Sequence, residues 1–592
     1  MVYNKNIRGG NIGMEWNLDD LYTSFEDEHF LQDMNQLQTI FNELKKYPLL
    51  DHNEENLKDY LMLENKCQTI MEKLYLYVNL VINANTQDHL ALQYASQLEN
   101  IVADVADVQT AIQKWIACFD LENIQDSYIQ EHLFILKEIQ ANQKYLLDEK
   151  SESVLAKMKT TGSSSWAKYK DQLVSSMTVM LDNKKYALTE VLNMAYSPNK
   201  EIRKKAYEAE LSAYASVEQG IASALNAIKG EALTVSHIRG YESVLQRTLI
   251  DSRMSQKTLN VLLKTMKKSL PMFEHYFRLK AQALGYQNGL PWFEMYAPII
   301  DVNTDYPYQQ GCEFVIEQFS TFSQKLGDYA KMAIDNHWID VYPRTGKVGG
   351  AFCQNLHCIQ QSRFLLNYGN GLNDVITMAH ELGHGFHGHC LNQEYSLNAD
   401  YPMPIAETAS TFCETIVKQA ALKKATRQEQ MMILENELCD CAQIIVDIYS
   451  RFLFESRFFV QREKGPLSVE DIKELMLEAQ RESYGKGLDH HYLHPYMWTW
   501  KPHYYEADYA FYNFPYAFGL LLAKGLYGMY QKEGHTFAEK YEKFLSLTGK
   551  MSLEDIAQSI GIDLQDESFW QNSIDMIKQD LQSFEEILKK EV

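Results

Sequence analysis

Apolar positions in the first third of the chain recur at helical spacing. Between residues 27 and 47 they fall at Phe30, Leu31, Met34, Leu37, Ile40, Phe41 and Leu44, a stripe that an α-helix places on one face. The pattern repeats over 57–84 and 89–119, with polar or small-residue breaks at 51–55, 85–88 and 161–165. Residues 14 to about 181 therefore read as a series of amphipathic helices. Over 177–188 the pattern changes to β-compatible residues around an Asp-Asn-Lys-Lys turn, which predicts a short hairpin. Helical spacing returns over 198–230, with Arg203, Lys204 and Lys205 on the polar side, and again over 255–285 and 309–334. GYQNGLPWFEMYAPI, between the last two, is punctuated like an ordered loop. The convincing β region is 338–342, 349–353 and 362–368, broken by Pro343, Gly346, Gly349 and Gly350. The expected fold class is mainly α with one small sheet.

Length and composition bound this picture. A chain of 592 residues exceeds the usual range of a single core, so two lobes are expected, with a boundary near residue 200: a helical lobe over 1–200 and a second region over 201–592. With 46% hydrophobic and 12% aromatic residues the chain can bury large cores, and its 37 tyrosines suit walls with polar tips. The 56 basic and 79 acidic residues leave a net charge of -23, which disfavours nucleic acid and anionic membrane as partners. Nine cysteines without a C-x-x-C pair argue against a disulfide framework or zinc ribbon and for reduced thiols. The start has no signal-peptide core and no run of 18 apolar residues occurs, so a soluble, cytoplasmic chain is expected.

The densest chemistry is DVITMAHELGHGFHGH at 374–389. On a helix begun by Asn373 or Asp374, His380 and His384 lie one turn apart on one face and can share a metal ion. Glu381 is offset by about 100°, off the ion but near enough to take a proton from a water beside it. Gly383 and Gly385 lower helix propensity and call for tertiary packing to override it. The alternative is two solvated histidines on a surface helix. A catalytic zinc takes three protein ligands and keeps one position open. The extension H-E-x-x-H-x-x-G-x-x-H is ruled out, because His387 and Cys390 stand where Gly and His are required. Of the downstream carboxylates Glu394, Asp400, Glu407 and Glu414, Glu407 is the best third ligand. It follows His384 by 23 residues, room to leave one helix and return antiparallel. Glu414 shares its face and could orient an imidazole from behind; the plainer reading makes Glu407 an early-helix carboxylate favoured by the dipole. His387 and His389 are turned off the motif's face.

The last β segment runs through Gly369-Asn370-Gly371 into this helix, and its edge could align an extended peptide by strand addition. Gly349, Gly350, Gly369 and Gly371 would allow close approach of a substrate backbone, or serve only tight turns. Gly349, Gly350, Ala351, Tyr368 and Gly369 are thus candidate substrate contacts. A second chemical stretch, LDHHYLHPYMWTWKPHYYEADYAFYNFPYAFG, carries His503, Tyr509, Tyr512 and Tyr516, which have the chemistry to donate to an oxyanion or to fill an aromatic core.

HELGHGFHGH followed by ETASTFCE resembles the thimet oligopeptidase and oligoendopeptidase F family of zinc peptidases, its oligoendopeptidase F branch most of all. WNLDDLY, TGSSSWAKY, RGYESVLQ, KVGGAFC, LNYGNGLNDVITMAHELGH and HYYEADYAFYNFPYAFG extend the resemblance over nearly the whole chain. It implies a two-lobed helical ellipsoid cut by a deep central channel, with one zinc per chain on its floor and short unstructured peptides as substrates. By motif position it makes His380, His384 and Glu407 the ligands and Glu381 the general base. His503, with Tyr516 or Tyr509, becomes the oxyanion donor, and Tyr512 a substrate contact. Two other readings stay open: a dipeptidyl carboxypeptidase-type exopeptidase, which needs a group for the substrate's C-terminal carboxylate, and an inactive peptide-binding protein. The oligomeric state is open.

Overall fold

A computed structural model describes residues 14–591 except 104, 105, 301 and 303. The opening residues 1–13, part of the start read above as lacking a signal-peptide core, lie outside it. The architecture is helical; among the described residues β-strands form one hairpin and one three-stranded sheet, and an isolated bridge joins Leu290 to Leu488. No described helix is long and apolar enough to cross a membrane, and all nine cysteines are free thiols. Packing divides the chain into two compact units that interleave along the sequence. One comprises Met1–Glu149, Asn303–Ala420 and Met529–Ile560; the other comprises Lys150–Val302, Ala421–Gly528 and Gly561–Val592. The expected boundary near residue 200 is a linear division and partitions the chain differently.

In the first unit the apolar stripes become capped helices. Glu28–Leu44 starts where Asp27 accepts the His29 N–H, and it buries Phe30, Leu37, Ile40, Phe41 and Leu44. Full burial of a side chain such as Phe30 stabilises by roughly 1.5–3 kcal/mol. Glu54–Ala84 starts where Asn53 accepts the Asn56 N–H. The third stripe is covered by His89–Ala103 and Ala106–Ile116. One apolar cluster joins these helices to Leu356 and Leu365 of the sheet.

The sheet has Gln361–Leu365 in the centre, parallel to Ile339–Asp340 and antiparallel to Phe352–Leu356. Three expectations are corrected here. The middle strand begins at Phe352 rather than 349, because Gly350 holds a left-handed turn (φ 82°) that only glycine adopts readily. The strand that leads into the histidine helix is the central one, with both neighbours paired, so an edge for strand addition belongs to Phe352–Leu356 instead. The stretch 309–334 is also two helices, Tyr308–Phe322 and Gln324–Asp335: extended Ser323 breaks the run and its hydroxyl caps the second helix. The apolar stripe continues across the break, which hides it from periodicity.

In the second unit the hairpin forms as expected, Thr178–Leu181 against Lys184–Ala187, with Asp182 and Asn183 both at positive φ in the turn. The single helix expected over 198–230 is two, Lys200–Ala215 and Glu218–Arg239, parted at Ser216 and Val217. Arg203 is not on a solvated face. It is buried and donates to Glu294, which is also buried and accepts from Tyr286 as well. A partner about ninety residues away in sequence leaves no trace in a helical pattern. Gln256–Ala283 forms as expected and includes Pro271.

Candidate active site

The histidine motif lies on the helix Leu372–Leu391 of the first unit. Its start differs from expectation: Gly371 is the cap, and Asp374 reaches back from the third position to accept the Gly371 N–H at 2.8 Å. Val375, Ile376, Ala379, Leu382 and Phe386 form the buried face. The glycines that weaken the helix mark where other elements touch it. A methyl group at 383 would lie 2.7 Å from the Ala409 carbonyl oxygen and 2.8 Å from Ser410 Cα. Gly383 therefore lets the helix Met403–Lys424 approach at backbone contact, and that approach carries Glu407 to the histidines.

His380, His384 and Glu407 each offer a ligand atom, and the three atoms lie within 4.8 Å of one another. Glu407 Oε2 is 3.4 Å from Nε2 of both histidines. A tetrahedral ion with bonds near 2.0–2.1 Å has ligand-to-ligand edges of about 3.3 Å, which both carboxylate-to-imidazole distances match, so the three donors suit a small divalent ion that keeps a further position. The Ser410 hydroxyl lies 3.1 Å from Glu407 Oε2 and 3.0 Å from the Glu407 backbone carbonyl, and its one hydrogen serves either oxygen. Behind the set, His380 Nδ1 is 3.1 Å from Glu414 Oε2, and the Lys418 ammonium pairs with the other Glu414 oxygen. This carboxylate–imidazole relay sets the ring's orientation and leaves Nε2 for the ligand position.

The electrostatics agree with a cation site. Burial opposes protonation of His380, yet Glu407 and Glu414 outweigh it and push the imidazole up to about 10. Burial likewise acts against the Glu407 carboxylate, but His380 and His384 hold it well below the usual carboxylate range. Glu381 is 6% exposed. Burial raises its carboxyl above the ordinary value, opposed by the two histidines and by the Cys353 backbone N–H that donates to it. A relay from Tyr329 through Ser362 to Asn355, whose amide donates to the His384 carbonyl at 3.1 Å, ties the sheet to the motif. His387 and His389 stand apart from the three-residue group. His387 is buried, 2.8 Å from the Thr548 hydroxyl and stacked on Tyr401; His389 packs beside Tyr329 and Phe386.

Of the candidate substrate contacts, Gly350, Ala351 and Tyr368 line a cavity of about 320 Å³ with Asp374 and Thr377. The Gly350 carbonyl accepts from the Asn367 amide, and the buried Tyr368 hydroxyl donates to the Tyr306 carbonyl. Gly369 lies just before the histidine helix, and Gly349 has open space on its side-chain side.

The second unit holds the aromatic candidates. The Tyr512 ring stacks on His503 at 5.0 Å, and the Tyr516 hydroxyl is 3.4 Å from His503 Nε2. Burial, with the Arg451, Lys501 and Lys170 cations, pushes the His503 imidazole down to about 4, so it is neutral and able to donate near pH 7. Tyr509 is 53% exposed. Sequence reasoning missed Lys418, Ser410, Asn355 and the Cys353 N–H. Lys418 stands four residues after Glu414 and could have been found by helical spacing; the others act through tertiary contact or backbone and leave no pattern.

Two imidazoles and a carboxylate about one point, with a buried carboxylate beside them on a helical scaffold, define a candidate metallohydrolase centre. Residues 193–576 match the model of peptidase family M3, and residues 121–178 match that of oligopeptidase F. The chain is 22% identical to oligopeptidase PepF of Bacillus subtilis, over 97% of this chain and 87% of that protein. It is 25% identical to an oligoendopeptidase F homolog of Lactococcus lactis, over 98% of each. The solved oligoendopeptidase-F of Enterococcus faecium shares the fold, with a TM-score of 0.68 at 17% identity, covering 95% of this chain and all of that one. The chain belongs to peptidase family M3, and it is a peptidase of the oligoendopeptidase F kind.

Proposed function

We propose that the protein is a zinc-dependent endopeptidase that cuts internal bonds of short, unstructured peptides in the cytoplasm. The observation that carries this reading is the convergence of His380, His384 and Glu407, with Glu407 Oε2 3.4 Å from both imidazoles and Glu381 one residue after the first histidine. One zinc held there would supply Lewis acidity, polarising the scissile carbonyl and making a water acidic. Glu381 takes the proton of the attacking water and hands it to the leaving nitrogen, a double role suited to a carboxyl whose burial raises its affinity for a proton. His503, with Tyr516 or Tyr509, donates to the carbonyl oxygen as negative charge develops on it. Glu414 holds His380 in place. Gly349, Gly350, Ala351, Tyr368, Gly369 and Tyr512 line the substrate's path, and the Phe352–Leu356 edge aligns its backbone. Nine free thiols support a reducing compartment.

Mass spectrometry of a mixed-length peptide library, digested with and without chelator, tests this reading. Chelator-sensitive internal cuts confined to short peptides are expected. Release of C-terminal dipeptides alone would replace it with the exopeptidase reading, and no cleavage at all would overturn it.

A further inference from the structure

Tyr509, Tyr512 and Tyr516 lie on and just beyond residues 507–513, an irregular segment between the turn Pro502–Tyr505 and the helix Phe514–Glu533. Polar contacts pin this segment at three separate points. Asp508 is paired with Lys159 of the helix Glu149–Thr161 and accepts from Arg247 Nη2 at 3.1 Å. Thr248, next to Arg247 on the helix Val244–Asp251, donates its hydroxyl to the Ala510 carbonyl at 2.9 Å. Glu455, buried on the helix Ile448–Arg462, accepts the Phe511 N–H and the Asn513 amide, each at 3.0 Å, while Lys229 compensates its charge at 2.6 Å.

These contacts fall around each tyrosine in turn. Asp508 and Ala510 flank Tyr509. Phe511 and Asn513 flank Tyr512, and Phe511 holds a left-handed φ of 55° that a side chain tolerates only when its surroundings fix it. The Asn513 side chain, oriented by Glu455, accepts the Phe514 N–H at 2.6 Å at the start of the helix that carries Tyr516. Ala507, Ala510, Phe511 and Asn513 are themselves buried, so the polar groups that Glu455 satisfies hold the segment in one conformation between its exposed Tyr509 and the following helix.

We infer that Asp508, Thr248 and Glu455 form a clamp that positions the tyrosine segment 509–516, and that the clamp sets the rate of peptide hydrolysis through those tyrosines without touching substrate. The kinetic half of this inference rests on the oxyanion role proposed above; the positioning half does not. All three are positioning residues. Arg247 and Thr248 directly follow the RGYESVLQ stretch, and the clamp accounts for polar residues there that no catalytic role had absorbed.

The test compares Asp508→Asn, Thr248→Val and Glu455→Gln in the full-length, zinc-loaded protein by amide hydrogen exchange and by kinetics. Thr248→Val and Asp508→Asn remove contacts at a near-isosteric or partly exposed site and so keep the proposal testable if Glu455→Gln fails to fold. Exchange over 509–513 should rise about tenfold and stay unchanged elsewhere, kcat should fall about tenfold at constant KM, and Asp508→Glu should recover most of the rate. Combined with whichever of Tyr509→Phe, Tyr512→Phe or Tyr516→Phe slows the enzyme, the Asp508→Asn effect on kcat should largely vanish. Unchanged exchange over 509–513 would overturn the clamp, and fully additive losses in the double variants would overturn its kinetic half. If all three Phe variants cleave normally, the oxyanion reading and the kinetic half fall together, and exchange alone decides whether the clamp exists.

Discussion

The histidine helix and the aromatic segment are built in opposite ways. At Leu372–Leu391 one helix supplies His380, Glu381 and His384 at a fixed angular spacing, and one backbone contact at Gly383 brings in the third donor. At 503–516 His503, Tyr509, Tyr512 and Tyr516 sit on or beside an irregular stretch whose shape comes from side chains more than fifty residues away in sequence. The difference lies in where precision is stored. A helix positions ligands by its own hydrogen bonds and tolerates little change, whereas a pinned segment can be tuned residue by residue.

If the contrast is correct, damage at the helix should be all-or-none and damage at the segment graded. The largest expected effect is at Glu381. Glu381→Gln should lower kcat by about 10³-fold or more with zinc still bound, as read by steady-state cleavage of a quenched peptide alongside metal analysis. Glu407→Ala should also be inactive, but because the metal is lost; full zinc occupancy in that variant would remove Glu407 from the ligand set. Next comes His503→Gln, with a loss of about 10²-fold in kcat at unchanged zinc content. A drop in zinc occupancy there would mean that the aromatic segment supports the metal centre and not the oxyanion.

Smaller effects sharpen the picture. Glu414→Gln leaves the three donors in place but unsettles the His380 ring, so zinc affinity should fall about 10- to 100-fold in competition with a chromogenic chelator. The smallest effect concerns stability and pH. Burial holds the His387 imidazole down to about 3, far below the ordinary value near 6.5. The unfolded chain therefore takes up a proton that the folded one refuses, so this histidine costs no stability above about pH 6.5 and progressively more as pH falls toward 3. In metal-free protein, His387→Gln should flatten the acid decline in unfolding free energy by up to about 1.4 kcal/mol per pH unit; parallel curves for the two proteins would refute the burial assignment.

How much of this was legible in the sequence follows the same contrast. His380, Glu381, His384, Glu407 and Glu414 could be read because helical spacing converts sequence distance into angle, and both helices formed. The pinned segment could be read only as chemistry. His503 and the tyrosines were legible as groups with the chemistry to donate, but nothing local shows that Thr248 and Glu455 contact the segment that carries them. The same limit produced the errors in the fold. Ser216 and Ser323 interrupt helices without interrupting the apolar stripe, and Arg203 reads as a solvated charge until Glu294 meets it. Gly350 was visible as a turn former, but its left-handed backbone, which delays the strand to Phe352, is a property of the folded chain.

The central claim, that His380, His384 and Glu407 hold one zinc that peptide hydrolysis requires, is tested most directly by titrating zinc into metal-free protein while following turnover of a short internally quenched peptide. Activity should be absent at the start, rise linearly and stop at one equivalent per chain. Turnover by the metal-free protein, or an end point other than one equivalent, would contradict the account.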